Sequence, residues 1–168
     1  MLIRIGTRGS SLAIAQALEA KQKLMDFFPD LSVEIIKIKT SGDKYANVNL
    51  AEIGEVLPPK TMLSAVGQGA ICIQCRKNDV KAIDLLEKIN DNKSFIRVRS
   101  ERSFMKTVNG SCFTPLAALA EYVSENMLRL CCMLADEKGI YFAERTSFVE
   151  DAEEMGMDAG LELKSRCL

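Results

Sequence analysis

Histidine is absent from all 168 residues. Its absence excludes histidine-based triads, histidine general bases and nearly all histidine-containing metal sites. Charge of one sign is also lacking: the net charge is −1. No global basic field therefore draws nucleic acid or an anionic membrane, and an anion site must be a local cluster of Arg, Lys and backbone N–H groups. No apolar run approaches the length that spans a bilayer. Nothing at the N-terminus resembles a signal peptide, since Met1–Gly6 leads straight into a strand-like run. There is no internal repeat and no low-complexity segment. Gly67-Gln68-Gly69 lacks the lysine and the third glycine of a phosphate-binding or dinucleotide fingerprint.

What is present is an ordinary globular composition, 48% hydrophobic and 27% charged, on a chain long enough for one domain or two small ones. Six cysteines occur: Cys72, Cys75, Cys112, Cys131, Cys132 and Cys167. A chain of this size folds without staples, and adjacent Cys131 and Cys132 would point to opposite faces of a strand. Free thiols in a reducing cytoplasm are the expectation. Cys72-Ile73-Gln74-Cys75 is the one zinc-like spacing. It lies in a strand-like run, Ala70–Gln74, where positions three apart face opposite sides, so no metal site is expected.

Patterning divides the chain. A strand over Leu2–Gly6, a helix over Leu12–Phe28 opened by a Ser10 or Ser11 cap, and a strand over Leu31–Thr40 make a βαβ unit with a parallel pair. The inner face of that helix is expected to carry Ile14, Leu18, Met25 and Phe28, with Ala17 and Leu24 widening it. Helices follow over Lys77–Asn90 and Ser94–Val108. Strands over Leu116–Val123, Met127–Ala135 and Ile140–Glu144 read as an antiparallel meander. Asp151–Lys164 closes the chain as a helix weakened by Gly156 and Gly160. The expected architecture is α/β plus α+β. A partial βαβ lobe covers residues 1–90, and a small domain over 91–168 carries a three-stranded antiparallel sheet packed with helices.

Two places invite chemistry. Arg8 and Ser10 stand where a parallel strand ends and a helix begins, and free N–H groups there favour an anion; simple capping by Ser10 and a solvated Arg8 are the alternative. Cys112 sits in Val108-Asn109-Gly110-Ser111-Cys112-Phe113-Thr114-Pro115, a small-residue loop between a helix and a strand. It is either a reactive loop thiol or one more packed hydrophobe. Arg97, Arg99, Arg102 and Lys106 precede it, and positive charge near a thiol favours thiolate.

Several segments together resemble the hydroxymethylbilane synthase, or porphobilinogen deaminase, family. They are Ile5-Gly6-Thr7-Arg8-Gly9-Ser10-Ser11-Leu12-Ala13 with Gln16-Ala17, Thr40-Ser41-Gly42-Asp43, and Leu50-Ala51-Glu52-Ile53-Gly54. Leu57-Pro58-Pro59, Ala65-Val66-Gly67-Gln68-Gly69-Ala70, Cys75-Arg76, Arg97-Val98, Ser100-Glu101-Arg102 and Gly110-Ser111-Cys112 complete the match, in order and over nearly the whole chain. The resemblance implies two periplasmic-binding-protein-like lobes and a third, cofactor-carrying domain. It implies an enzyme, a transferase of porphyrin and heme biosynthesis, that joins four porphobilinogen units into a linear tetrapyrrole with release of ammonia. By position Cys112 would hold the dipyrromethane cofactor through a thioether, with Arg8 and Ser10 contacting pyrrole carboxylates. Family members are usually monomeric.

The resemblance also has a break. In the family, the motif matching Ile53-Gly54 runs on into a helix and a strand bearing the catalytic aspartate, then into a second domain. Here Glu55 follows Gly54 directly, so no catalytic residue is assigned. Residues 1–90 then read as a partial first domain stitched from 1–54 and 55–90. The alternative to the enzyme reading is a catalytically incompetent fragment or variant, whose truncated lobe could self-associate.

Overall fold

The structure, a computed structural model, describes residues 1–38, 63–111 and 113–167. Contacts divide the chain into two units, one of Met1–Glu55 with Ile71–Asn90, the other of Val56–Ala70 with Asp91–Leu168. The family-like segments from Thr40 to Pro59 lie outside the described residues, as does Cys112.

In the first unit, β1 (Leu2–Arg8) and β2 (Ser32–Ile38) pair in parallel, with Ile3 opposite Val33 and Arg8 opposite Ile38. They are joined by α1 (Ser11–Phe27). The Ser32 N–H donates to the Met1 carbonyl at 2.9 Å. Backbone groups alternate sides along a strand. The odd-numbered residues of β1 therefore bond to β2, and Leu2, Arg4 and Gly6 turn their N–H and C=O groups the other way.

The buried face of α1 runs through Ala17, Ala20 and Leu24, at helical spacings of three and four. Ala17 and Leu24 belong to the expected face, but Leu18, expected on it too, is exposed. Leu24 packs with Leu31 and Val33, and Ile3, Ile5, Leu85 and Ile89 close around them. The last two come from α2 (Val80–Ile89). That helix starts three residues later than expected because Asp79 caps it, accepting from the Ala82 N–H at 3.2 Å and pairing with Arg76 at 2.8 Å. The expected strand over Ala70–Gln74 is not formed: the run belongs to neither sheet. Apolar alternation makes a strand only where a neighbouring strand supplies bonds, and among the described residues this run has none.

In the second unit, β3 (Leu116–Tyr122), β4 (Met127–Asp136) and β5 (Gly139–Phe148) form an antiparallel meander in that order. Asp136 sets the tight β4–β5 turn by accepting from the N–H groups of Lys138 and Gly139 at 2.8 and 3.0 Å. β5 runs four residues past its expected end. Arg145 and Ser147 lie opposite Leu130 and Leu128, on the face where β4 is buried. The charge is tolerated because Asp158 and Glu162 each hold Arg145 at 2.6 Å. Cys131 and Cys132 do take opposite faces, the second fully buried.

One face of this sheet is covered by α3 (Asn92–Thr107) and α4 (Ala152–Cys167), the latter entered through a 3-10 turn at Val149–Asp151. Phe104, Leu128, Leu130, Cys132, Ala159 and Leu163 are fully buried between them. The glycines that were expected to weaken α4 let it approach α3. A Cβ at Gly156 would strike the Ser100 carbonyl oxygen, and one at Gly160 would lie 2.7 Å from Thr107 Cβ. Residues 63–70, expected with the first unit, belong here: Ser64 accepts from the Ala118 N–H at 3.1 Å, and Val66 packs on the core.

Candidate functional site

The turn from β1 into α1 is fixed by two hydroxyls. Ser10, in extended conformation, accepts from the Ala13 N–H at 3.3 Å. The Thr7 hydroxyl donates to the Ala13 carbonyl at 3.0 Å. Arg8 ends the strand, and both Arg8 and Ser10 are exposed. No acidic residue occupies the first turn of α1, so no side chain in that turn offsets the positive end of the helix dipole. A guanidinium, a hydroxyl and helix N-terminal donors at the carboxyl end of a parallel strand form a donor set suited to a carboxylate. Ser10 is the cap, as both readings of the sequence allow.

The loop around Cys112 is held on both sides. α3 ends with Asn109 in the left-handed region at φ 55°, and the Gly110 N–H donates to the Met105 carbonyl at 2.8 Å. A side chain at Gly110 would run into Leu116 and, at 2.9 Å, Met105. Beyond it, Thr114 Oγ1 accepts from the Ser111 N–H at 2.9 Å, and Ser111 accepts from the Thr114 N–H at 3.1 Å. The Phe113 N–H donates to Ser111 Oγ at 3.3 Å, and Phe113 is 97% exposed. Pro115 accepts from the Ala135 N–H at 3.0 Å, tying the exit of the loop to β4. Arg8 and Ser10 belong to the first unit, whereas these flanks of Cys112 belong to the second.

Of the four cations preceding the loop, two are committed elsewhere. Arg97 donates to the Ala120 carbonyl at 2.7 Å, and Arg99 pairs with Glu153 at 2.8 Å. Arg102 and Lys106 are exposed. Cys131 and Cys132 are poorly placed to react as thiolates. Burial, with the Glu144 carboxylate beside it, pushes Cys131 up to about 11, and burial raises Cys132 further. Cys72 and Cys75 are exposed. Among the described residues no three or more Cys, Asp or Glu side chains gather as a metal-ion cluster. Nor is any helix among them long and apolar enough to cross a membrane.

Sequence reasoning missed Glu101. It is only 4% exposed on α3, and it accepts from the Gly67 N–H at 2.7 Å and from the Ala120 N–H at 3.0 Å. Burial raises its pKa above the ordinary value, opposed by those two hydrogen bonds and by Arg97. Arg97 and Glu101, four residues apart on one helix face, thus grip the C=O and the N–H of Ala120 on an edge strand. They take the place of a neighbouring strand there. The available signal was that i, i+4 pair of opposite charges, which reads first as a solvated ion pair.

Comparison with known proteins accounts for most of the chain. The family model described as "Porphobilinogen deaminase, dipyromethane cofactor binding domain" matches in two pieces, residues 3–56 and 51–84. "Porphobilinogen deaminase, C-terminal domain" matches residues 95–165. A curated relative named porphobilinogen deaminase from Wolbachia sp. subsp. Drosophila simulans (strain wRi) is 49% identical over 292 residues, covering 100% of each chain. The protein of that name from Ehrlichia chaffeensis (strain ATCC CRL-10679 / Arkansas) is 31% identical over 290 residues, 97% of each chain. That from Ehrlichia canis (strain Jake) is 41% identical over 165 residues, 88% of this chain and 55% of the relative. The Wolbachia alignment is longer than this chain of 168 residues, so the relative has positions with no counterpart here. The two pieces of the split match meet at residues 51–56, where Glu55 follows Gly54. Similarity over its whole length, with cofactor-binding and C-terminal models matching in order, places this chain in the porphobilinogen deaminase family.

Proposed function

We propose that the chain acts as a porphobilinogen deaminase, condensing four porphobilinogen units into linear hydroxymethylbilane with loss of ammonia at each condensation. The observation that carries this is the full-length similarity to a relative of that name, with matching family models at both ends. Cys112 is the tether for dipyrromethane. When bound, that group supplies the pyrrole terminus on which the chain is extended. The residues beside Cys112 suit a tether: the helix cap at Asn109 and the Ser111–Thr114 turn hold both flanks. Arg8 and Ser10, with the acid-free first turn of α1, bind pyrrole carboxylates. The parallel β1–α1–β2 unit supports reading the first unit as part of a periplasmic-binding-protein-like lobe.

A second reading rests on the positions of the Wolbachia relative that lack a counterpart here. The family resemblance puts the catalytic aspartate in such a segment, so this chain would bind without turning over. One set of measurements separates the two. Incubation of the purified chain with porphobilinogen, followed by acid oxidation and uroporphyrin fluorescence, reads turnover. Intact mass reads loading, and the increment of one dipyrromethane is expected to vanish in Cys112→Ser. Product supports the first reading. A Cys112-dependent increment without product supports the second. An increment that survives Cys112→Ser overturns the tether.

A further inference from the structure

We propose that the outward face of the β3–β4–β5 sheet is an interface between two copies of this chain, packed face to face. The inference does not depend on catalytic competence, and it departs from the monomer expected of the family. Its first support is a face that the helices leave bare. α3 and α4 take the side of the sheet that carries Leu128, Leu130, Cys132 and Ala143. The residues between these point the other way. There β5 presents Ile140, Phe142 and Phe148, each more than half exposed. Leu119, Met127 and Met133 are partly exposed on the same side. An antiparallel sheet with one side in water commonly alternates apolar inward and polar outward. At these positions the sheet is apolar on both sides.

The second support is the relief of the face, which names a second copy as the occupant. Ala117, Met133 and Phe142 stand in one row across the strands, and Leu119, Cys131 and Glu144 in the next. The bulk lies toward one edge. β5 projects two phenylalanines and an isoleucine, whereas β3 contributes Ala117, which is buried, and Leu119, which is partly so. A half turn about an axis along β4 lays the high edge of one copy over the low edge of the other. Such a pairing uses the same patch twice, and aligned sheets pack with their side chains interdigitated. Charge does not oppose it. Arg129 holds Glu121 at 3.0 Å, Glu144 accepts from the Cys131 thiol at 3.3 Å, and the whole chain carries a net charge of only −1.

The third support is size. The strands hold seven, ten and ten residues. At about 3.4 Å per residue and about 4.8 Å between strands, their footprint is roughly 450 Å² per copy. Two footprints, with the relief of the side chains added, reach the roughly 1,000 Å² that a specific interface requires. The width of three strands, about 14 Å, exceeds that of a single strand or helix. A sheet of the same dimensions covers it whole.

The test is light scattering on the full 168-residue chain across a dilution series, with hydroxyl-radical footprinting read by mass spectrometry at both ends of the series. A dimer is expected at high concentration, with Met133, Phe142 and Phe148 oxidised less than in the dilute chain. Phe142→Lys, at a position exposed in the single copy, should abolish the dimer. Leu161→Lys, also exposed but on α4, should keep it. Circular dichroism reports whether each variant is folded; where Phe142→Lys is not, the footprint of the unmodified chain decides. A monomer at every concentration overturns the proposal, including the case in which some other macromolecule uses this face. So does a dimer that leaves those three side chains open, or one that survives in folded Phe142→Lys. A dimer that protects Leu12 and Leu18 on α1 instead puts the contact on the first unit and overturns it as well. Turnover enters none of these readouts, so failure of the enzyme reading leaves the test intact.

Discussion

The two units solve the same problem with unequal means. In the second, three strands and two helices bury a cluster of twelve residues, from Phe104 to Leu163. The free edge of β3 is taken up there by Ser64, Arg97 and Glu101. In the first, two strands and two helices bury a cluster of three among the described residues, Leu24, Leu31 and Val33, with Ala17 and Ala20 also buried on α1. Both sheets have edges, but only in the second does the described chain cover one with its own groups. The difference shows that βαβ geometry follows from local pattern alone, whereas a core and a protected edge require several segments to converge.

Substitutions can break or sharpen this contrast. The largest effect is expected from Phe104→Ala, which empties a fully buried aromatic site and should cost about 3–5 kcal/mol in urea unfolding followed by circular dichroism. Leu24→Ala in the first unit should cost about 2–3 kcal/mol, the low part of the range, because its surroundings are partly exposed and can collapse. Hydrogen exchange should show that loss confined to β1, α1 and β2. Equal loss of protection in β3–β5 would mean that the units do not unfold separately. Gly156→Ala sets a methyl against the Ser100 carbonyl and should cost about 1–3 kcal/mol, with exchange rising in α3 and α4 together. Ser10→Ala removes a helix cap and should cost about 1 kcal/mol. If Ser10 also serves the carboxylate site, binding of porphobilinogen to the variant weakens at temperatures where the fold is intact.

The smallest expected effect is a slope. Burial raises the pKa of Glu101 above 4.5, so the folded chain keeps a proton that the unfolded chain has already released. The stability tied to this group is full below the ordinary value and declines as pH rises through the raised one. Glu101→Gln should flatten that decline in urea midpoints measured across the acidic range. A steeper decline would mean that the two N–H donors and Arg97 outweigh burial.

Much of this was readable from the residues. Element order and the parallel and antiparallel pairings follow from β-branched runs, helical spacing and turn residues. Ser10 marks a helix start by capping chemistry, whereas the caps at Asp79 and Asp91 emerged only in the structure. The errors arose where a neighbour decides. Ile71–Gln74 has the pattern of a strand but no partner for one. Gly156 and Gly160 look like weak helix residues until α3 is seen against them. Leu18 fits a helical stripe, yet the face that meets the sheet is centred on alanines. At the candidate site, Arg8 and Ser10 stood out by their place between a parallel strand and a helix, and Cys112 by its small-residue loop; the motif resemblance supplied their roles. Glu101 was overlooked because its burial depends on Gly67 and Ala120, respectively 34 residues before it and 19 after it in sequence.

That carboxylate makes the second unit discontinuous in sequence. Residues 63–70 come before α2, yet their turn is bound by a side chain beyond it. A proteolytic cut between Asn90 and Asp91 would therefore not release an intact C-terminal piece. It would sever the connection that keeps the Gly67 turn beside Glu101. Loss of the turn would leave one oxygen of a buried carboxylate without its donor and the Ala118 N–H without its acceptor. The severed turn would then stay only as a non-covalent ligand of the piece it had capped.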